Sequence, residues 1–232
     1  MLTLRPSHER GRARHGWLTS AFTFSFAEYY DEAWMGFRGL RVINEDYIKA
    51  GTGFPTHPHR DMEIVTYVLS GELEHTDSTG HKSVIKHGII QRMTAGRGIR
   101  HSEFNHSKTE GLHLLQIWIL PEAEGLDPSY EEKRIDGRLV ENQLGLLAAR
   151  DPKGKALAIH ADVSIYACQL AAGREQEHRL TPGRHAWVQV ASGKISVNGI
   201  TLEGGDGLAV SDEKLLTFTS QLQAEFLVFD LA

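Results

Sequence analysis

Two stretches, one in each half of the chain, share the same pattern of residues. EIVTYVLSGELEH (Glu63–His75) and HAWVQVASGKISV (His185–Val197) each contain a valine-rich run, a Ser-Gly pair and a second run of alternating apolar residues. Such a pattern is typical of two β-strands joined by a tight turn. Unrelated β-hairpins can look this similar, but KHGIIQRMTAG further on also aligns loosely with EGGDGLAVSDE. The repeat therefore predicts two similar β domains in tandem.

The rest of the sequence also favours strands. Its 23 glycines separate many short apolar runs, and LHLLQIWILP (residues 112–121) is apolar on both faces, as a covered central strand is. The best helical candidate is RLVENQLGLLAARDP, residues 138–152. We place the junction there. The predicted N-terminal domain covers residues 1–135, the interdomain segment 136–152 and the C-terminal domain 153–232.

Composition and charge exclude several functions. The formal net charge is −5, so no direct binding to nucleic acid is expected. The N-terminus lacks the apolar segment of a signal peptide, and no apolar run approaches the length of a membrane span. The single cysteine, Cys168, excludes a disulfide within the chain and is predicted to be a buried core residue. We expect a cytoplasmic protein that binds no membrane.

Two short motifs place histidines and a carboxylate at strand ends. Alternate residues of a strand point the same way, so His57 and His59 would share a face, as would His101 and Glu103. Surface histidines are commonly just solvated, and one His-x-His motif alone is weak evidence. Two such pairs on adjacent strands would supply three imidazole nitrogens and one carboxylate oxygen. That donor set suits a divalent first-row metal.

Longer motifs carry a resemblance to a known family: Gly51-x5-His57-x-His59-x3-Glu63 and Gly98-x2-His101-x3-Asn105. The first resembles the first cupin motif, and the second resembles the end of the second cupin motif. GTGFPTHPHRDMEIVTYVLSG and MTAGRGIRHSEFN are similar to the pirin branch of the cupins, and specifically to its bacterial, quercetinase-like bicupins. The resemblance is strong over about residues 15–121 and weaker over the C-terminal half.

The resemblance implies an all-β fold with two tandem cupin barrels, that is, a bicupin built from two double-stranded β-helices (jelly rolls). It also implies one divalent ion per chain, held by His57, His59, His101 and Glu103. Iron(II) is the first expectation, with manganese, cobalt, nickel, copper or zinc as alternatives. Many other cupins use the glutamate of the first motif, here Glu63, as the fourth ligand. The pirin pattern favours Glu103, and we interpret Glu63 as a buried polar neighbour.

Several bacterial relatives are described as cleaving flavonols such as quercetin with dioxygen. The resemblance therefore implies a quercetin 2,3-dioxygenase, with Glu103 as ligand and candidate base. Tandem barrels can complete a bicupin within one chain, so we expect a monomer. Phe22, Phe24 and Phe26 could contact the substrate's rings, although for each alone a core position is the better interpretation. One alternative is a pirin-like regulatory protein that binds a protein partner in a redox-dependent way. Another is a metalloenzyme that acts on a different small enolisable compound.

The repeat also allows a prediction for the C-terminal domain. Ungapped alignment of Gly71 with Gly193 and of Gly88 with Gly205 gives these pairs: Arg179 with His57, Thr181 with His59, Phe218 with His101, and Ser220 with Glu103. His178 lies one place off and is predicted to face away from the barrel interior. We therefore expect no metal in the C-terminal domain.

Overall fold

The structure, a computed structural model, describes residues 1–135, 137–152 and 154–232. Asp136 and Lys153, at which the sequence analysis begins the interdomain segment and the C-terminal domain, lie outside the described residues. The chain divides into two compact units. The N-terminal unit comprises 11–134 and 159–161, and the C-terminal unit comprises 1–10, 135–158 and 162–232. The first ten residues thus pack with the C-terminal unit.

The N-terminal unit contains two antiparallel sheets. Its strands are β2 (Gly11–Arg14), β3 (Leu18–Phe22), β4 (Leu40–Ile48), β5 (Gly53–His59), β6 (Glu63–Ser70), β7 (Glu72–Asp77), β8 (Lys82–Lys86), β9 (Ile89–Thr94), β10 (Ile99–Asn105), β11 (Leu112–Ile119) and β12 (Ser129–Arg134). The seven-stranded sheet has the order β12-β9-β6-β11-β4-β3-β2, and the four-stranded sheet has the order β5-β10-β7-β8.

The C-terminal unit repeats this arrangement. Its strands are β1 (Leu2–Arg5), β13 (Gly145–Ala149), β14 (Leu157–Ala158), β15 (Val163–Leu170), β16 (Glu175–Arg179), β17 (His185–Ser192), β18 (Lys194–Val197), β19 (Ile200–Glu203), β20 (Gly207–Val210), β21 (Leu215–Thr219) and β22 (Ala224–Leu231). The sheets have the orders β1-β20-β17-β22-β15-β13-β14 and β16-β21-β18-β19. The central strands of the two units therefore follow the same order, and the prediction of an all-β bicupin is confirmed. The edges differ, since β2 pairs antiparallel with β3 whereas β14 pairs parallel with β13.

Helices contribute little to the described part of the chain. The single α-helix there, α1, covers Gly137–Val140, and short 3₁₀ helices cover Ser7–Glu9 and Glu32–Trp34. The helix predicted over residues 138–152 is therefore wrong beyond Val140. Gly145–Ala149 forms β13 instead, because it pairs with β15 and contributes buried side chains to the sheet. Within the described residues, none of the helices has the length and apolar character needed to cross a bilayer.

Apolar side chains from both sheets fill each barrel. In the N-terminal unit one buried cluster contains Leu18, Ile48, Val68, Leu73, Ile85, Leu112 and Leu114. In the C-terminal unit Cys168 belongs to the main buried cluster, as predicted. Burial raises the pKa of its thiol to about 12, so the residue behaves as a small apolar side chain.

The register of the four-stranded sheet places the sequence motifs together. On β5 and β10, His57 lies opposite His101 and His59 lies opposite Ile99. A bulge interrupts this pairing between His101 and Glu103. Bulges commonly re-aim a side chain at a functional site. The pairing explains why two motifs far apart in the sequence meet at one end of the barrel.

The same register corrects the alignment of the C-terminal unit. His178 pairs with Leu216, and Phe218 pairs with Val197 of β18. His178 therefore occupies the position of His57, and the equivalents of His101 and Glu103 are Leu216 and Phe218. The ungapped alignment failed because His178 lies seven positions before His185, whereas His57 lies six before Glu63. A slip of one residue reverses the face of a strand.

The prediction that His178 faces away is accordingly wrong. Its side chain is 11% exposed, and its Nε2 lies 2.8 Å from Oδ2 of Asp230. Its ring also packs against Tyr166 at a centroid distance of 5.0 Å. The inward histidine is thus held in a hydrogen bond with an aspartate, and the neighbouring positions carry leucine and phenylalanine.

Candidate metal centre

Three of the four predicted ligands form a tight cluster. The ring centroids of His57, His59 and His101 lie 4.4–4.8 Å apart, and one ring nitrogen of each lies within 4.8 Å of the others. His57 is oriented by a contact of 2.8 Å between its Nδ1 and the backbone oxygen of Pro55. His101 is 1% exposed, and its Nε2 is buried with no hydrogen-bond partner. A buried nitrogen without a partner is rare in folded proteins unless an ion or water satisfies it.

Glu103 lies next to this cluster on β10. Its carboxylate is 3% exposed, and Oε2 accepts a hydrogen bond of 2.8 Å from Nε2 of Gln116. Gln116 is held in turn by Thr66, which donates to its Oε1 at 3.1 Å. The second oxygen of Glu103, Oε1, is buried without a partner. The side chain is therefore fixed at one oxygen and unsatisfied at the other.

Burial keeps the imidazoles ready to bind a cation. Desolvation, together with the proximity of His101 and His57, lowers the pKa of His59 to about 4. Desolvation, followed by the proximity of His57 and His75, lowers the pKa of His101 to about 3. Both rings are neutral at pH 7 and offer a lone pair. Neutral imidazoles, a buried carboxylate and two buried atoms without partners fit a divalent first-row metal.

Glu63 lies on β6, in the seven-stranded sheet, and its side chain contacts His160. It is fully buried, as predicted, but its Oε2 accepts a hydrogen bond of 3.3 Å from the backbone N–H of His160. The ring of His160 lies 3.5 Å from its Oε1. Among the described residues, Glu63 belongs to neither of the two groups whose ligand atoms lie close enough together to hold an ion.

The second of these groups contains a residue that the sequence analysis missed. His75 is fully buried and forms a close set with His101 and Glu103. A signal for it is present in the sequence, since His75 and Asp77 lie two and four residues after Leu73 and so share its buried face on β7. Gln116 was missed as well, because it lies within the apolar run that was interpreted as a covered strand.

A cavity of about 490 Å³ opens directly onto the cluster. Its aromatic lining consists of Trp17, Phe22, Phe26, Phe54 and Trp118, and its polar lining includes Ser20, Asn44 and Asp46. His57, His59 and Glu103 also line it. Of the three phenylalanines named from the sequence, Phe22 and Phe26 reach the cavity, and Phe24 is a core residue with 1% exposure.

Two of the aromatic walls also position the histidines. Trp118 packs edge-to-face against His59 at a centroid distance of 4.9 Å, and Phe54 lies 6.3 Å from His57. Phe26 packs against Trp118 in the same way at 5.4 Å. A cavity of this size with apolar walls and a few convergent polar groups is typical of a small-molecule site.

A bicupin fold with three clustered histidines and a buried glutamate in one barrel defines a metal-binding cupin. Comparison with known proteins makes the assignment specific. The family model for pirin matches residues 3–119, and the model for the quercetinase C-terminal cupin domain matches residues 146–231. The chain belongs to the pirin family.

Similar proteins cover the whole chain. Quercetin 2,3-dioxygenase of Escherichia coli K12 is 48% identical over 231 residues, which is 100% of this chain and 99% of that protein. A pirin-like protein of Caulobacter vibrioides is 38% identical over 237 residues and fully covered. The prediction of an enzyme is therefore confirmed at the level of the family.

Solved structures support the fold and the metal. The crystal structure of YhhW from Escherichia coli is 47% identical and aligns with a TM-score of 0.97 over 100% of this chain and 98% of that chain. The same bacterial pirin has been solved in complex with nickel(II), with a TM-score of 0.95 over 100% of this chain and 99% of that chain. The cluster and this relative together support a divalent metal as the cofactor.

Proposed function

We propose that this chain is a metal-dependent dioxygenase that cleaves flavonols such as quercetin, of the quercetin 2,3-dioxygenase type. The observation that carries the proposal is the aromatic-lined cavity of about 490 Å³ that opens onto the three-histidine cluster. Its volume lies within the range of small-molecule sites, and its walls suit flat aromatic rings. The full-length relative named quercetin 2,3-dioxygenase supports the same substrate class.

His57, His59, His101 and Glu103 would hold the ion. The unpartnered Nε2 of His101 and Oε1 of Glu103 are the atoms that support this choice most directly. When bound, the metal would polarise a flavonol hydroxyl and lower its pKa. Iron(II) remains our first choice, although these donors suit several ions and the related bacterial pirin has been crystallised with nickel(II).

Glu103 has the geometry of a general base as well as a ligand. Gln116 holds Oε2 and so fixes the direction of the carboxylate. Oε1 has two lone pairs, so it could hold the ion with one and take the proton of a substrate hydroxyl with the other. The surrounding aromatic residues exclude water from the carboxylate and from the substrate. Ser20 donates to Oδ1 of Asp46 at 2.5 Å, and this buried polar pair lines the cavity, where it offers acceptors to the hydroxyl groups of a polyphenol.

The test is aerobic turnover of quercetin by metal-free protein that has been reloaded separately with iron, manganese, cobalt, nickel, copper or zinc. We expect saturable turnover with at least one ion and none with the His101→Ala variant. Absence of turnover in every reloaded form, although metal analysis shows that the site holds an ion, would overturn the proposal. That outcome would favour a regulatory protein with a protein partner, or a different small enolisable substrate.

The substrates under this proposal are a flavonol and dioxygen. We also propose that the protein acts as a monomer in the cytoplasm and binds no nucleic acid. The single buried cysteine and the net charge of −5 support the compartment and the absence of nucleic acid.

A further inference from the structure

Behind the three-histidine cluster, β7 contributes a histidine and an aspartate to the barrel interior. The side chains of His75 and Asp77 are both 0% exposed. Strands β7 and β10 pair so that Asp77 lies opposite His101 and His75 lies opposite Glu103. Burying an ionisable pair is costly unless its hydrogen bonds are satisfied, so the contacts of this pair are informative.

The contacts form a chain that ends at His101. Nε2 of His75 lies 3.0 Å from Oδ2 of Asp77. The other ring nitrogen of His75, Nδ1, lies 3.3 Å from Nε2 of Gln91 and 3.5 Å from Nδ1 of His101. His101 thus turns one nitrogen toward His75, and its Nε2 remains without a partner in the protein.

Asp77 is anchored at its other oxygen. Oδ1 accepts hydrogen bonds from the backbone N–H of Thr79 at 2.8 Å, the hydroxyl of Thr79 at 2.6 Å and the backbone N–H of His81 at 3.3 Å. Three donors converge on this atom, so an oxygen is required there. The direction in which Oδ2 faces His75 is therefore fixed by the turn that follows β7.

These contacts determine where the hydrogens lie. An ionised carboxylate only accepts, so Nε2 of His75 must carry the hydrogen. A neutral imidazole has one N–H, which leaves Nδ1 of His75 as an acceptor. The single lone pair of this nitrogen is then shared between an N–H of Gln91 and a hydrogen on Nδ1 of His101. The hydrogen of His101 therefore lies on Nδ1, and its Nε2 keeps a lone pair.

We propose that Asp77 and His75 are positioning residues that select the tautomer of His101, so that its Nε2 presents a lone pair to the metal. Outer hydrogen bonds of this kind commonly fix the orientation and tautomer of a ligating histidine. The inference rests on the proposed ligand role of His101. In this proposal, Asp77 and His75 act only through His101 and contact neither substrate nor ion.

The substitution Asp77→Asn reverses the direction of the hydrogen bonds between residue 77, His75 and His101 without changing the size of the side chain. The three donors keep the amide oxygen on their side, so the new amide NH₂ faces Nε2 of His75. The hydrogen of His75 then moves to Nδ1 and forces the hydrogen of His101 onto Nε2, where it blocks the ligand atom. We expect nickel(II) affinity, measured by calorimetric titration, to fall about 10–100-fold.

His75→Leu removes the hydrogen bond to His101 without forcing the hydrogen of His101 onto Nε2. We expect this variant to lose less affinity than Asp77→Asn, and the double variant to bind nickel(II) as His75→Leu does. A purely structural role predicts instead that the two losses add.

Thr79→Val is the matched control, because it removes a donor to Asp77 and leaves the hydrogen bonds between Asp77, His75 and His101 intact. Its nickel affinity should equal that of the wild type.

The wild-type, metal-free protein provides a test that needs no variant. Long-range ¹H–¹⁵N NMR should show the hydrogen of His75 on Nε2 and that of His101 on Nδ1; the opposite assignment would overturn the proposal even where a variant fails to fold. Nickel affinity of Asp77→Asn within about threefold of wild type would also overturn it. If His101→Ala binds nickel normally, the proposed metal site itself fails; if only Asp77→Asn does, this inference fails alone.

Discussion

His101 is the most deeply buried of the three clustered histidines, and its Nε2 has no partner, so we expect metal binding to be most sensitive to substitution at this position. We expect His101→Ala and His57→Ala each to abolish stoichiometric binding of nickel(II), because each removes one of the nitrogens that converge on the same point. Calorimetric titration and circular dichroism would measure binding and folding. His178→Ala is the matched control, because His178 occupies in the C-terminal barrel the position that His57 occupies in the N-terminal barrel. Stoichiometric nickel in both cluster variants would refute the site.

The lowered pKa values of His59 and His101 give the metal-free protein a distinct pH dependence. Below the ordinary histidine pKa of about 6.5, the unfolded chain takes up protons that these buried rings take up only near pH 4 and pH 3. The unfolded state then binds more protons, so stability is greatest above about pH 6.5 and falls as the pH is lowered toward 4.

Urea unfolding of the metal-free protein at several pH values would measure this effect. We expect the stability of His101→Ala to fall less steeply than that of the wild type between pH 7 and about pH 5. The variant lacks one of the two imidazole rings whose protonation is disfavoured in the folded state. Parallel curves for the two proteins would show that the rings titrate normally in the folded state.

At the residue scale, the sequence was sufficient to predict the candidate ligands. It was insufficient to predict the residues that hydrogen-bond to them. The spacing of His57, His59, His101 and Glu103 can be seen directly, because a strand's alternation puts each pair on one face. The roles of His75 and Gln116 depend on which strands become neighbours. Those neighbours are set by the pairing of β7 with β10 and by the contact of Gln116 on β11, in the other sheet, with Glu103 on β10, which no local pattern specifies.

At the element scale, the approach of β5 to β10 depends on Gly53. A Cβ at this position would overlap the backbone oxygen of Glu103 and the Cα of Phe104, with which Gly53 is paired. We expect Gly53→Ala to push β5 away from β10, to cost about 1–3 kcal/mol of unfolding free energy and to weaken nickel binding.

Gly111→Ala is the control for this prediction. The nearest atom to its added Cβ would be the backbone oxygen of Ile48 at 4.0 Å, so the change should stay within about 0.5 kcal/mol. Chemical denaturation of both variants would measure the difference. Equal stabilities for the two variants would contradict the close packing of β5 on β10.

The lengths of the strands and connections explain why the repeat was recognised from the sequence, whereas the residue-by-residue alignment of the C-terminal unit was wrong. The hairpins of β6–β7 and β17–β18 align without a gap, since Gly71 and Gly193 both end a strand at a tight turn with positive φ. The connections outside these hairpins differ in length between the two units. Loop lengths are weakly constrained by stability, so an ungapped alignment cannot follow them.

At the scale of the whole molecule, the two barrels share the order of their central strands but differ in their interior chemistry. The positions of His101 and Glu103 are taken by Leu216 and Phe218, which are both 0% exposed. Apolar side chains cannot ligate a cation, so we expect one metal ion per chain. Elemental analysis of reloaded protein would measure the ratio, and two ions per chain would contradict this account.

The central claim, flavonol cleavage at the N-terminal site, is tested most directly by following dioxygen uptake and carbon monoxide release together during quercetin turnover. For the reloaded wild type and His178→Ala, we predict saturable uptake of one dioxygen for each carbon monoxide released. For His101→Ala we predict neither signal. Uptake without carbon monoxide, or equal turnover in His101→Ala, would contradict the claim.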